Sequence, residues 1–195
     1  MSTSRSDDNS SFRDELSSGF PGLSEAQLDA LCDHYRLLLA WNERLNLTRV
    51  TSAREAARIH YVESLFLGAQ LPPGNLRVVD VGSGAGFPGI PVGILRPECR
   101  VDLVESHQRK AVFLREAIRG LPNVHVLAQR AEDVSERFDW MVSRAVRPKE
   151  VLSLRMAPNV AILMGTGDVE SARIVPVPGS ERRVVGMFHV ELGGS

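Results

Sequence analysis

Lysine is nearly absent from this chain: of 23 basic residues only Lys110 and Lys149 are lysines. Against 24 acidic residues the formal net charge is −1. Generalised electrostatic binding to a polyanion is therefore excluded, and any grip on nucleic acid must come from local arginine clusters. Cysteine is scarce as well. Cys32 and Cys99 supply neither a disulfide framework nor a thiolate metal cluster. No apolar run approaches membrane-spanning length. The N-terminus is rich in Ser and Asp without an apolar stretch, so no signal peptide is expected and a reducing cytoplasm is the simplest compartment. Internal repeats are missing too. At 195 residues, the chain is long enough for one α/β domain with an N-terminal extension.

What is present is concentrated in Val78-Val79-Asp80-Val81-Gly82-Ser83-Gly84-Ala85-Gly86-Phe87-Pro88-Gly89. A short β-branched run reads as a buried parallel strand. Alternating glycines then let the backbone turn tightly and approach a ligand closely. Pro88 suits the first turn of a helix. Strand, glycine turn and helix together form a nucleotide-type cradle. Two glycine patterns overlap here. Gly84-x-Gly86-x-x-Gly89 fits the dinucleotide fingerprint, whereas Asp80-x-Gly82-x-Gly84-x-Gly86 fits S-adenosylmethionine (SAM) methyltransferases. Asp80 would repel a pyrophosphate and suits a cationic ammonium or sulfonium, which favours the second pattern. Glu105 ends the next strand, Arg100 to Glu105, ~20 residues beyond the turn, where an acid can accept from ribose hydroxyls. Such a ribose belongs to SAM and NAD alike.

The rest of the chain sorts around this cradle. Met1 to Ser11 is polar and is expected to be disordered, with a short helix over Phe12 to Leu16. Ser24 and Gln27 form a capping box for a long amphipathic helix to about Glu43, and Ser52 with Glu55 a second one. Residues 71–75 are turn-rich and predict a boundary between a helical cap (1–75) and a core domain (76–195). Strands are expected at 76–81, 100–105, 124–128, 138–143, 160–164, 174–177 and 184–190. Helices alternate with the first five: Pro88 to Arg96, one capped by Ser106 to Arg119, and Pro148 to Met156. Such β–α alternation predicts a doubly wound, mostly parallel sheet of α/β class. Ligands gather at the carboxyl ends of its strands, where Gly82, Glu105, Arg130 to Glu132 and Arg144 all fall.

Several strings resemble the bacterial glucose-inhibited division protein B family, from about Trp41 to about Val190. They are Trp41-Asn42-Glu43-Arg44-Leu45-Asn46-Leu47-Thr48, His60-Tyr61-Val62-Glu63-Ser64, Asp80 to Pro91, Arg130-Ala131-Glu132 and Ser143-Arg144-Ala145. The resemblance implies a SAM-dependent enzyme that methylates N7 of a guanine in 16S ribosomal RNA, and a class I methyltransferase fold. It implies that Gly82 and Phe87 line the SAM pocket, that Ala131 and Glu132 meet the adenine end, and that Arg144 lies between cofactor and substrate. Arg130 is a further basic candidate beside the pocket. His60 is read as structural. Where the family has Lys-Gly after the fifth strand, this chain has Met164-Gly165, and the segment from Thr166 to Arg173 is shorter.

Guanine N7 carries a free lone pair, so its methylation needs alignment and a dry pocket rather than a general base. The chain agrees. Ser143-Arg144-Ala145-Val146 stands where exocyclic-amine methyltransferases place an Asn/Asp-Pro-Pro-aromatic motif. Neither cysteine falls where a nucleophile for cytosine C5 would be needed. Arg144 is the catalytic candidate, since a guanidinium can bond guanine O6 or a phosphate. RNA contacts are assigned to Arg130, Arg147 and Lys149, with Arg36, Arg44, Arg49, Arg54, Arg58 and Arg155 as further members of a basic track. The partner implied is 16S rRNA or the small ribosomal subunit, with no membrane, and nothing demands more than a monomer. Other readings are a SAM methyltransferase acting on protein or small molecules and a SAM-binding module with impaired catalysis.

Overall fold

The structure, a computed structural model, describes residues 3–50, 52–166 and 173–192. Seven strands form one sheet in the order β3-β2-β1-β4-β5-β7-β6. These are β1 (Arg77–Val81), β2 (Arg100–Val104), β3 (Val124–Leu127), β4 (Trp140–Arg144), β5 (Asn159–Gly165), β6 (Arg173–Pro176) and β7 (Arg183–His189). The first five run parallel. β7 lies antiparallel between β5 and β6. The sheet is thus the mixed, mostly parallel, Rossmann-like one that the alternation predicts. Strand order reverses between β1 and β4, which opens a crevice at their carboxyl ends.

Period-two alternation divides the sheet into two faces. Val78, Val101, Leu103, Val142, Ala161, Leu163 and Val185 pack on one side, together with the N-terminal helices and the helices after β1 and β2. Val79, Val81, Val104, Met141, Val160 and Ile162 pack on the other, against Val134, Phe138, Val151 and Met156. Asp80 has the parity of Val78, and Arg144 that of Val142. Both point to the face covered by the N-terminal helices, and that parity decides their roles.

Those helices are α1 (Thr3–Gly19), α2 (Glu25–Leu45), α3 (Ala53–Ala56), a π-helical turn (Ala57–Val62) and α4 (Glu63–Gln70). α1 replaces the expected disorder of Met1 to Ser11 from Thr3 onward. The residues that hold it are Phe12 and Leu16, both fully buried, Phe12 stacking on Tyr35 at 4.1 Å. α2 begins with the predicted capping box: Ser24 and Gln27 each bond the other's backbone N–H. It ends at Asn46, in left-handed conformation with φ 48°. Ser52 stands at the start of α3, yet its hydroxyl makes no cap bond, against the second predicted box. Cap and sheet share one apolar core, running from Phe12 and Leu31 through Tyr61 and Leu65 to Val78 and Leu103.

The remaining helices are α5 (Gly89–Leu95), α6 (Gln108–Ala117) and α7 (Pro148–Ser153). Ser106 does not cap α6. His107 stands at the N-cap without a side-chain cap bond, and Glu105 Oε1 accepts from its N–H at 2.7 Å. A charged acceptor at a helix N-terminus makes a stronger bond than a hydroxyl does.

Candidate functional site

Parallel strands put their carboxyl ends on one edge of the sheet, and the residues flagged in the sequence meet there. Gly82 and Ser83 donate backbone N–H groups to the Val104 carbonyl at 3.0 and 3.1 Å, tying the glycine turn to β2. Gly84 donates to Glu105 Oε2 at 2.9 Å. Both Glu105 oxygens therefore hold backbone, one in the turn and one at α6. Each keeps a further lone pair for a hydroxyl donor. Gly82, Gly84 and Gly86 have φ of 73°, 56° and 90°, which disfavours any side chain. Gly82 is exposed and Gly84 half-buried, so the turn presents bare backbone to the crevice.

Asp80 is a correction. The local pattern predicts that it faces a cationic ligand, but it is fully buried. Its Oδ2 accepts from the Gly89 N–H at 3.0 Å, capping α5 from below, and Oδ1 has no hydrogen-bond partner. Burial pushes its carboxyl up to about 7 despite that bond. A Cβ on Gly89 would lie 2.3 Å from Leu103 Cδ2 and 2.7 Å from Asp80 Oδ2, so only glycine fits above the acid. Asp80 shapes the cradle from inside.

Phe87 is likewise buried, among aromatic groups supplied by the cap. His60 stacks on it at 4.9 Å, and Tyr61 and His34 meet it edge-on at 4.9 and 5.4 Å. His34 Nε2 lies 3.1 Å from the Ala85 carbonyl and Nδ1 lies 2.8 Å from the Tyr61 hydroxyl. A carbonyl only accepts, so Nε2 carries the proton and Nδ1 accepts from Tyr61. Burial lowers the His34 pKa to about 4 and keeps the ring neutral, as this chain of bonds requires. The cap thereby holds the glycine turn, a link that the sequence does not announce. Its one sequence hint is a polar residue among Leu31, Tyr35 and Leu38 on the apolar face of α2.

Arg144 ends β4 and turns into the cap. Its Nη1 donates to the Ile59 carbonyl in the π-helical turn, and Nη2 lies 3.5 Å from Glu63 Oε2. Both side chains are nearly buried, at 9% and 8% exposure. Burial raises the Glu63 pKa and lowers that of Arg144. Neither shift is offset fully by the partner, which fits a loose pair at 3.5 Å. The π-helical turn also presents His60, whose Nε2 lies 2.8 Å from Thr48 Oγ1 and whose Nδ1 is buried without a hydrogen bond. Burial, then Arg144, drives its pKa down to about 4. π-helical turns recur at functional sites because they re-aim side chains and free carbonyls.

The other flagged residues lie further out. Ala131 opens a 3₁₀ turn (Ala131–Asp133) after β3, half-buried against the second apolar cluster, while Arg130 and Glu132 are exposed. Arg147 and Lys149, at the start of α7, are exposed, with Arg147 3.8 Å from Glu150. Arg36, Arg44, Arg49, Arg54, Arg58 and Arg155 are exposed as well. Arg36 pairs with Asp33, and Arg58 lies 3.6 Å from Glu15.

Comparison with known proteins matches residues 27–164 to the family described as rRNA small subunit methyltransferase G. The chain belongs to this family. Ribosomal RNA small subunit methyltransferase G 1 of Syntrophobacter fumaroxidans is 41% identical over 147 residues, covering 71% of this chain and 66% of that protein. The Desulforamulus reducens protein named Ribosomal RNA small subunit methyltransferase G is 40% identical over 140 residues, covering 67% of this chain and 58% of its own length. The chain thus spans about three fifths of the curated relatives it matches. Among solved structures, a SAM-dependent methyltransferase from Aquifex aeolicus superimposes with a TM-score of 0.52 at 16% identity, over 69% of this chain and 93% of that one. At that identity it shows the fold alone. The family match carries the glycine turn, the π-helical turn and Arg144, and it ends at Met164, before β6 and β7.

Proposed function

We propose that this protein transfers a methyl group from SAM to N7 of a guanine in small-subunit (16S) ribosomal RNA. The observation carrying the reading is the convergence of the glycine turn, Glu105 and Arg144 at the carboxyl ends of β1, β2 and β4, beside the switch point of a sheet whose sequence belongs to the family. The crevice suits the cofactor chemically. Bare backbone at Gly82 and Gly84 admits close approach, and a Cβ at Gly82 would touch only Val146, at 3.3 Å. The remaining lone pairs of Glu105 suit ribose hydroxyls. Ala131 and Glu132 stand after β3, where the adenine end of a nucleoside along this edge would reach. SAM, when bound, supplies an electrophilic methyl on a sulfonium.

The chain's own residues supply position and electrostatics. Gly82, Gly84, Gly86 and Glu105 fix the turn, with Asp80 and Phe87 supporting it from within. Arg144 presents a guanidinium between cradle and cap, where it can donate to guanine O6 or a phosphate. Arg130, Arg147 and Lys149 are the exposed cations on this edge best suited to RNA phosphates. The acceptor nitrogen needs no proton removed, and no general base is assigned. Its partner is the small subunit or its RNA, which sets the reaction in the cytoplasm, and a monomer suffices for it. No helix among the described residues is long and apolar enough to cross a membrane.

The test is incubation with methyl-labelled SAM and small ribosomal subunits, beside naked RNA and bulk protein. Label recovered from RNA as 7-methylguanine is expected. Label only in protein or small molecules, or SAM binding without transfer, overturns the reading in favour of another acceptor or an inactive SAM-binding module.

A further inference from the structure

β7 begins at the end of the sheet where the cradle lies. Its first residue, Arg183, pairs with Gly165 at the carboxyl end of β5, two residues beyond Leu163, which pairs with Arg144. Strand parity gives Arg183 the face of Val185 and Met187, which belong to the apolar core under the cap. Arg144 and Arg183 therefore stand on one face of the sheet, on either side of β5. Two strand spacings, about 10 Å, separate their backbones. Met164, by contrast, faces the second apolar cluster.

The two arginines differ in their partners. Arg144 is buried and already engaged by Ile59 and Glu63. Arg183 is half-buried, and among the described residues its guanidinium has neither a hydrogen bond nor an ion pair. Its charge is felt at His60, Glu63 and Arg144, in each case behind burial and nearer charges. Of these groups only Glu63 is an acid, and Arg144 holds it. Two guanidinium groups thus share one carboxylate, and an excess positive charge remains. Like charges in a partly dry setting repel strongly, and an anion placed beside them relieves the repulsion. Space for one is open. Gly165 is exposed, and among the described residues a Cβ there would meet only the Arg182 carbonyl, at 3.8 Å.

We propose that Arg183 binds a phosphate of the RNA strand in the open space over Gly165, and so holds the nucleotide chain at the substrate side of the crevice. This contact rests on the functional reading above. It adds to that reading from β7, outside the residues 27–164 that the family match covers. A guanidinium suits a phosphate because its planar fork makes paired bonds to two oxygens. The cradle is near enough to share the substrate. Its glycine turn follows β1, three strand spacings or about 14 Å from β7. A nucleotide with its base toward the turn and its phosphate toward β7 bridges that span, with the Arg183 side chain taking up part of it. SAM carries a carboxylate of its own, the other anion that a guanidinium here would suit.

The test measures binding of the full chain to 16S RNA across a salt series without SAM, for the native protein, Arg183→Gln, Arg183→Lys and Arg173→Gln. Arg173 opens β6 opposite Met187, toward the far end of β7, and is an exposed control of equal charge. Arg183→Gln should lower the slope of log K against log salt by roughly 0.7–0.9, the mark of one phosphate lost. It should also raise KM for the small subunit several-fold with kcat nearly unchanged. Arg183→Lys should restore the slope, since lysine still neutralises a phosphate as a point charge. Arg173→Gln should alter neither, and SAM affinity by calorimetry should be unchanged in all three. A native protein that does not bind the RNA overturns the phosphate site, as does an unchanged slope in Arg183→Gln or an equal fall in Arg173→Gln. An unchanged slope with lowered SAM affinity would give Arg183 to the cofactor carboxylate, and one with a lowered urea midpoint would make it a counter-ion of Glu63. The activity reading fails separately: loss of slope in Arg183→Gln with no 7-methylguanine formed by the native protein retains the phosphate site and removes the activity. Formation of 7-methylguanine with an unchanged slope does the reverse.

Discussion

The glycine turn and the π-helical turn meet the same end of the sheet by opposite means. The glycine turn is built from backbone, nearly all of it satisfied: Val104 and Glu105 hold its first half, and His34 holds the Ala85 carbonyl. The π-helical turn is built from side chains, and it leaves His60 Nδ1 and Glu63 Oε2 buried and unbonded beside Arg144. One region is preformed and rigid. The other carries the desolvation cost of those unpaired atoms.

The sharpest way to break this contrast is at Arg144. Arg144→Met leaves Glu63 as an unpaired buried acid, and breaking such a pair typically costs about 3–5 kcal/mol. Urea denaturation should show that loss, and the double variant Arg144→Met/Glu63→Met should regain most of it. If the single variant is as stable as the native chain, the pair is not a buried one. Next comes the glycine turn. Gly86→Ala sets a Cβ 2.4 Å from Ile90 Cδ1 at a φ of 90°, so it should destabilise by about 1–3 kcal/mol. It should also weaken SAM binding in calorimetry.

Acid titration compares the regions from within. His34 and His60 titrate near 4 in the folded protein against 6.5 unfolded, so between those values the unfolded chain binds more protons and acid weakens the fold. Asp80 works in the other direction. Its folded pKa of about 7 lies above 3.8, so the folded state holds the extra proton, and the stability this gives fades as pH rises toward 7. Two histidines outweigh one aspartate between roughly pH 4 and 6.5, and stability should fall on acidification. In Asp80→Asn the fall should be steeper, as followed by denaturant midpoints at stepped pH. A shallower fall would mean that Asp80 is ionised throughout. The smallest effects belong to the exposed cations. Arg130→Ala, Arg147→Ala or Lys149→Ala should leave stability unchanged and lower the salt slope of RNA binding by roughly 0.7–0.9 for each phosphate no longer neutralised. Slopes unchanged in all three would remove them from the RNA surface.

Much of this was legible from the chain alone, for a local reason. Strand alternation, the Ser24 capping box and the glycine spacing are written within a few residues, and their backbone consequences follow wherever the segment lies. The glycine turn needed only φ values that side chains disfavour. Misreadings fell where a local signal competed with a distant one. Ser106 gave way to Glu105 at α6, and the polar N-terminus formed a helix because Phe12 and Leu16 found Tyr35 and Tyr61 to pack on. His60 looked like an ordinary helix-face residue because nothing nearby in sequence marks a π-helical turn.

The sequence by itself determined the strands, their order of use and the backbone cradle at the end of β1. Only the tertiary structure decided which way Asp80 and Arg144 face and what they meet. Strand parity turned both toward the cap, and packing of the cap then supplied partners 85 residues away for Arg144 and 51 residues away for Ala85. Such pairings depend on how two packed layers sit against each other, and no periodicity along the chain encodes that.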